Sequence, residues 1–200
     1  MDNSARSLEA NAPQTYKRKR ELIDGIPVMM SPGKPSHGRT AFKIATMLEM
    51  HPKKGKCVVF SENALVKLND NNKFVPDVAV VCDPSIINDD EIDGAPILVV
   101  EVLSPTTASN DRTKKKRAYA QAGVKEFWLV DITSFSIEVY FLKDDNFELD
   151  EVYMLISKNE EKHLRAQEEF IPPNKFVSPI FGGVDIDLYK VFGEILPEGF

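Results

Sequence analysis

The chain is poor in cysteine and tryptophan, with two and one in 200 residues, and no apolar run approaches the ~18 residues that a membrane-crossing helix needs. Cys57 and Cys82 are too few and too widely spaced for a disulfide framework or a CxxC metal site. They read as core thiols in a reducing cytosol. Residues 1–14 are small and polar and lack an apolar leader segment, so no membrane partner is expected. Positive charge is also scarce: 25 Lys and Arg stand against 31 Asp and Glu, a net charge of −6. That excludes indiscriminate coating of nucleic acid, which works through a positive surface and counterion release, but leaves room for a local basic site. No internal repeat is present.

What remains is enough for one substantial core, since 42% of the residues are hydrophobic and the length falls within the ~100–200 residues of a single domain. The expected division is a flexible tail over 1–15, a domain over 16–192 and a C-terminal tail over 193–200. Leu22-Ile23-Asp24-Gly25-Ile26 predicts a hairpin with Asp-Gly at its turn. Ser36 is placed to cap a helix running to about Met50, with Phe42, Ala45 and Leu48/Glu49 as its apolar stripe and His51-Pro52 as its stop. Strands are predicted over Cys57–Phe60, Ala64–Leu68 and Phe74–Cys82, with Asn69-Asp70-Asn71-Asn72 at a hairpin tip. Residues 83–96 read as a polar loop with one short helical turn. Ile97–Leu103 has the continuous apolar character of a central strand, and a helix over 111–122 ends at Gly123. With Glu126–Ile132 these form a βαβ crossover. Ser136–Leu142 and Glu151–Ser157 predict an antiparallel pair about Asp144-Asp145-Asn146, and Ile186–Phe192 a final helix. Phe127 and Trp128 read as core.

Two carboxylates interrupt these apolar strands, Asp77 after Val75-Pro76 and Glu101 within Val99–Leu103. A buried carboxylate costs several kcal/mol unless a partner or a metal compensates, so two of them suggest a shared cation. A basic helix follows. At about 100° per residue, its stripe of Ala118, Tyr119 and Ala122 places Lys115 within roughly 20° of the inward direction, and Lys114 and Lys116 well away from it. Lys115 is therefore aimed at the sheet, where the two carboxylates would relieve its charge. Asp111, one turn earlier, either caps the helix, which is the commoner use, or pairs with Lys115 at i,i+4. Other readings fit the same residues. Pro76 belongs at sheet edges, which would make Asp77 an edge residue, and Glu101 would equally form a buried ion pair with an arginine. His37 is placed to touch a substrate or to sit solvated near the helix start. The run Lys17-Arg18-Lys19-Arg20 suits a localisation signal, a phosphate patch or a solvated face.

Taken in order, Glu21-Leu-Ile-Asp-Gly25, Pro35-Ser-His37, Val75-Pro-Asp77, Gly94-Ala-Pro96, Val99-Val-Glu101-Val-Leu-Ser-Pro105, Asp111…Lys115…Tyr119 and Gly123-Val-Lys-Glu-Phe-Trp128…Asp131 resemble the Uma-type restriction endonuclease family across residues 16–192. The resemblance implies membership of the PD-(D/E)xK nuclease superfamily and its α/β restriction endonuclease-like fold, a mixed sheet of four to five strands flanked by helices. It assigns Asp77 as the aspartate of the first motif and Glu101 as the acid of the second. Leu103 stands where the superfamily pattern has lysine, so Lys115 would take that role from the helix, with Glu21 as a further acidic residue.

The expected activity is that of a Mg²⁺-dependent endonuclease, with Mn²⁺ as a possible substitute. Asp77, Glu101 and the backbone carbonyl of Val102 would hold the ion, since Mg²⁺ takes about six oxygen ligands and rarely all from protein. Arg112, Lys114, Lys116, Arg117 and His37 would contact DNA. The resemblance also implies a homodimer, with Val184–Phe192 as contact surface. The rival expectation is a non-catalytic DNA-binding or protein-interaction module on the same fold.

Overall fold

The computed structural model describes residues 20–30, 33–52 and 55–200. The tail over 1–15 and Lys17, Arg18 and Lys19 of the basic run lie outside the described residues. Asp24 and Gly25 both have positive φ, 51° and 78°, as a tight two-residue hairpin turn requires, and β1 (Arg20–Ile23) returns as β2 (Ile26–Met29). α1 (Pro35–Glu49) starts one residue before the expected cap. Lys34 stands at its boundary with no side-chain capping bond, and Pro35 takes the first turn because its fixed φ and missing N–H suit that position. The buried stripe is Ala41, Ile44, Ala45 and Leu48, whereas Phe42, expected on it, is 55% exposed.

β3 (Val58–Ser61), β4 (Val66–Asn69) and β5 (Asn72–Phe74) follow, and the last two close around Asp70-Asn71 as expected. The predicted strand over 74–82 is divided: β5 ends at Phe74 and β6 (Val78–Val81) begins after Asp77, because Pro76 cannot donate to a ladder. Segment 83–96 is more ordered than a loop, with a 3₁₀ turn at Pro84–Ile86 and a short β7 (Ile92–Asp93) parallel to β4. β8 (Leu98–Val102) leads into a helical stretch longer than the expected 111–122. It comprises α2 (Ala108–Asn110), a π-helical turn over Asp111–Lys115 and α3 (Lys116–Ala122), stopped by Gly123 at φ 94°. β9 (Glu126–Asp131) then lies parallel to β8, completing the crossover. β10 (Ser136–Lys143) and β11 (Asn146–Met154) form the antiparallel pair, with β11 starting at the turn itself. Besides β7, three elements escape the sequence reading: α4 (Lys158–Ala166), capped by Ser157, and the hairpin of β12 (Lys175–Ser178) and β13 (Val184–Asp187). α5 (Leu188–Phe192) is the final helix.

The strands make a six-stranded sheet ordered β11-β10-β9-β8-β6-β3, a five-stranded sheet ordered β2-β1-β5-β4-β7, and the β12–β13 pair. The larger sheet exceeds the four to five strands implied by the resemblance. Alternation along β8 and β9 assigns the two faces. Leu98, Val100, Val102, Trp128 and Val130 join the core under α1, β12–β13 and α5, whereas Val99, Leu103, Phe127 and Leu129 pack with Ala118 and Tyr119 of α3 and Ile23 and Phe74 of the smaller sheet. Period two therefore puts Glu101, between Val100 and Val102, on the α3 side.

Two further expectations are corrected. Cys57 and Cys82 are joined by a disulfide, their Cα atoms 4.0 Å apart, because the antiparallel β3–β6 register pairs Val58 with Val81 and so sets the two cysteines opposite one another. The inference from free thiols to a reducing cytosol falls with it. Val184–Phe192, expected as a contact surface, buries Val184, Ile186, Leu188, Val191 and Phe192 in the core under α1. Residues 193–200 pack there as well, with Ile195, Leu196 and Phe200 against the core and the Phe200 ring edge-on to Phe135 at 5.1 Å. Among the described residues no helix is long and apolar enough to cross a membrane.

Candidate active site

Pro76 ends the β6 ladder two residues short of where β8 ends, so the N–H and C=O of Val102 point past the last rung. A strand's peptide groups cannot be left unpaired in a half-buried position without cost. Asp77 Oδ2 accepts from Val102 N at 2.7 Å, and His37 Nε2 lies 2.7 Å from Val102 O. A carbonyl only accepts, so His37 carries its proton on Nε2, and the same nitrogen is 3.4 Å from Asp77 Oδ2. His37 Nδ1 is buried without a hydrogen-bond partner. This is the more open end of the site, with the His37 and Asp77 side chains 14% and 16% exposed.

One residue away, Glu101 faces the opposite side of β8 and is 3% exposed. Lys115 reaches it from the π turn: Nζ is 3.2 Å from Glu101 Oε1, 2.9 Å from Glu21 Oε1 and 3.2 Å from Asp111 Oδ1. Tyr119, a turn further on, donates its hydroxyl to Glu101 Oε1 at 2.9 Å, and Val75 N donates to Glu21 Oε1 at 2.9 Å. Asp111 thus pairs with Lys115 rather than capping the helix: its contact runs inward at i,i+4, and no side-chain cap closes either α2 or the π turn. The π turn itself is an unusual backbone state that recurs at functional sites.

The electrostatics are lopsided. Glu21, Glu101 and Asp111 all contact the Lys115 ammonium, and Asp77 adds its charge beside Glu101. Burial pushes the Glu101 carboxyl well above the usual carboxylate range, and Asp111, Asp77 and Glu21 add to that against the pull of Lys115. Burial alone would lower Lys115, but Glu101, Asp111 and Glu21 reverse it and hold the ammonium above the ordinary lysine value. Lys115 is therefore charged throughout the physiological range and cannot accept a proton. Burial, joined by Glu101 and Glu21, raises Tyr119, which stays a donor. Burial likewise works against a charged His37, but the hydrogen bond and charge of Asp77 and the Val102 carbonyl outweigh it and raise its pKa.

This donor set fits a hard divalent cation. It offers oxygen ligands with surplus negative charge, and the Val102 carbonyl retains a second lone pair beside its bond to His37. Among the described residues, no three His, Cys, Asp or Glu side chains converge closely enough to hold a metal alone. Asp77, Glu101 and the carbonyl of Val102, completed by water, would be the oxygen donors to such an ion.

The basic residues of the same helix are dispersed. Arg112 pairs with Glu138 on β10, Lys116 Nζ lies 3.6 Å above the Tyr140 ring, and Arg117 NH2 is 3.0 Å from Asp24 in the β1–β2 turn. Lys114 is exposed. Asp77, Glu101, Lys115, Glu21 and His37 are brought together, and these four are not. Sequence reasoning missed the tyrosine hydroxyl on Glu101, although the i,i+4 spacing of Asp111, Lys115 and Tyr119 was its signal. It also missed Glu62, whose N–H donates to Asp77 O at 3.2 Å and whose charge reaches His37.

A mixed sheet with an aspartate at the start of one strand, a glutamate inside the next and a lysine-bearing helix across it defines a nuclease-like α/β domain. The chain belongs to the Uma2 family, described as "Putative restriction endonuclease", whose pattern matches residues 8–174. It is 34% identical over 134 residues to the "Uncharacterized protein slr1290" of Synechocystis sp. (strain ATCC 27184 / PCC 6803 / Kazusa), a match covering 66% of this chain and 70% of that protein. The fold is similar to the crystal structure of "a putative nuclease belonging to DUF820" from Anabaena variabilis ATCC 29413, with a TM-score of 0.63 at 19% identity, covering 88% of this chain and 91% of the other.

Proposed function

We propose that the chain is an endonuclease hydrolysing DNA phosphodiester bonds with Mg²⁺ or Mn²⁺, held by Asp77, Glu101 and the carbonyl of Val102. One observation carries this reading: Asp77 accepts from the N–H of Val102 at 2.7 Å, next in the chain to Glu101, whose Oε1 lies 3.2 Å from the Nζ of a helix lysine, Lys115. The ion, when bound, supplies an acidified water and charge neutralisation at the phosphate. Lys115, fixed as an ammonium, supplies positive potential to developing phosphate charge. His37, at the more open end of the site with its side chain 14% exposed, would lie beside a bound phosphate, where Asp77 favours its charged form. Arg112 and Arg117 would exchange Glu138 and Asp24 for DNA backbone, a small cost because exposed ion pairs contribute only about 0–1 kcal/mol, and Lys114 and Lys116 would join them.

The test is supercoiled plasmid at low salt with Mg²⁺, Mn²⁺ or EDTA. We expect slow, metal-dependent nicking that disappears in Asp77→Ala and Glu101→Ala. A single small domain has little surface left for base readout, so cleavage should lack sequence specificity. A second reading, a DNA-binding or interaction module without catalysis, is favoured by the burial of Glu101 and Lys115, each 3% exposed. It becomes the better account if no divalent ion supports nicking of plasmid, single strands or branched DNA while the folded protein still binds DNA. The cleaving form is proposed to be a homodimer, since two-fold symmetry addresses both strands. A monomer by light scattering at roughly tens of micromolar, where weak interfaces still associate, would overturn that.

A further inference from the structure

We propose that Tyr119 is a positioning residue for Glu101: its hydroxyl and the Lys115 ammonium both occupy Oε1, and so reserve Oε2 for the divalent cation. This rests on the metal-binding reading above and goes beyond it by naming what orients the ligand. Among the described residues, the donors to the Glu101 side chain converge on one oxygen, Lys115 Nζ at 3.2 Å and Tyr119 OH at 2.9 Å. Asp77 is arranged the same way: Val102 N donates to Oδ2 at 2.7 Å, and His37 Nε2, whose proton goes to the Val102 carbonyl, lies 3.4 Å from the same oxygen. Each carboxylate therefore spends one oxygen on the protein. The Tyr119 ring cannot drift from its place, being fully buried, edge-on to Phe74 at 5.1 Å and 5.6 Å from the Phe127 centroid. The hydroxyl is thus held by packing that does not depend on the bond it makes.

A lysine alone would not do this. Lys115 has three carboxylates to choose among, at 2.9 to 3.2 Å, and its flexible stem lets Glu101 turn with it. The rigid phenol fixes the carboxylate plane. Groups that orient a metal ligand in this way typically change metal affinity about 10–100-fold when removed.

The experiment is Mn²⁺ titration by calorimetry of the full chain, wild type against Tyr119→Phe, with melting temperatures recorded with and without Mn²⁺. Tyr140→Phe is the control, since it removes another phenol-to-carboxylate bond, to Glu138, away from Glu101. We expect Tyr119→Phe to weaken Mn²⁺ binding about 10-fold or more and to shrink the Mn²⁺-induced rise in melting temperature, while Tyr140→Phe leaves both at wild-type values. Wild-type affinity in Tyr119→Phe overturns the inference and leaves the metal site standing. So does a loss of melting temperature that is equal with and without Mn²⁺. If the wild type gives no more heat than Asp77→Ala/Glu101→Ala, the metal-binding reading itself fails, and this inference with it.

Discussion

Glu101 and Glu126 are both buried carboxylates on the central sheet, at 3% and 1% exposure, yet they face opposite sides and are treated differently. Glu101 on β8 sits among Glu21, Asp77 and Asp111 with one ammonium. Glu126, at the start of β9, has neutral donors only: Trp128 Nε1 at 2.7 Å on one oxygen and Ser178 Oγ at 2.8 Å on the other. Both oxygens of Glu126 are spent, and the result is a pin that ties β12 to the sheet. Burial raises its pKa to about 7, against the two hydrogen bonds. The lesson is that burial of an acid does not by itself mark a functional site. An unbalanced set of charges with an oxygen left over does.

The largest effect should come from removing the ammonium that restrains the crowded side. Lys115→Ala leaves the carboxylates unpaired, which typically costs about 3–5 kcal/mol, read by urea unfolding. A loss under ~1 kcal/mol would mean that the carboxylates escape to solvent and that the cluster is not the frustrated one described.

The neutral pin should report itself through pH. The folded-state pKa of Glu126 lies above its ordinary carboxylate value of 4.5, at about 7. Its contribution is therefore fully present below about 4.5 and is lost as pH rises through about 7. A shift of that size corresponds to about 3 kcal/mol. Unfolding curves at pH 5 and pH 8 should show the difference, and Glu126→Gln should flatten it. An unchanged profile in that variant would place the titration elsewhere.

Glu101→Gln sharpens the contrast further. Glutamine keeps an oxygen for Lys115 and Tyr119 while removing one negative charge, so without metal the melting temperature should stay within a few degrees of wild type or rise. A large fall would instead make Glu101 an ordinary buried ion pair. The smallest effect is expected at Lys114→Ala, an exposed position where stability should move by no more than about 0.5 kcal/mol.

How much of this was legible follows from the range of the interactions. Glu101 stood out because a carboxylate broke an otherwise apolar strand, and Lys115 because helical geometry gave one lysine of several an inward direction. Asp111 was left between a cap and an i,i+4 pair: the cap, the commoner local use of an aspartate near a helix start, lost to a charge partner already buried four residues on. Phe42 was drawn into a stripe that the structure runs one residue to the side, through Ala41 and Ile44. The disulfide was invisible because sequence separation does not report antiparallel register.

The sequence by itself determined the order of the strands and helices other than β7, α4, β12 and β13, the central place of the apolar strand over 98–102, and the face on which Glu101 falls, since these follow from periods of two and 3.6 residues along a short stretch of chain. Only the tertiary structure decided which groups meet there: Glu21 from the first hairpin, His37 from α1, the Tyr119 hydroxyl on one oxygen of Glu101, and the bond between Cys57 and Cys82. These contacts join residues far apart in the chain, and their distances depend on sheet register and helix placement, which no local pattern encodes.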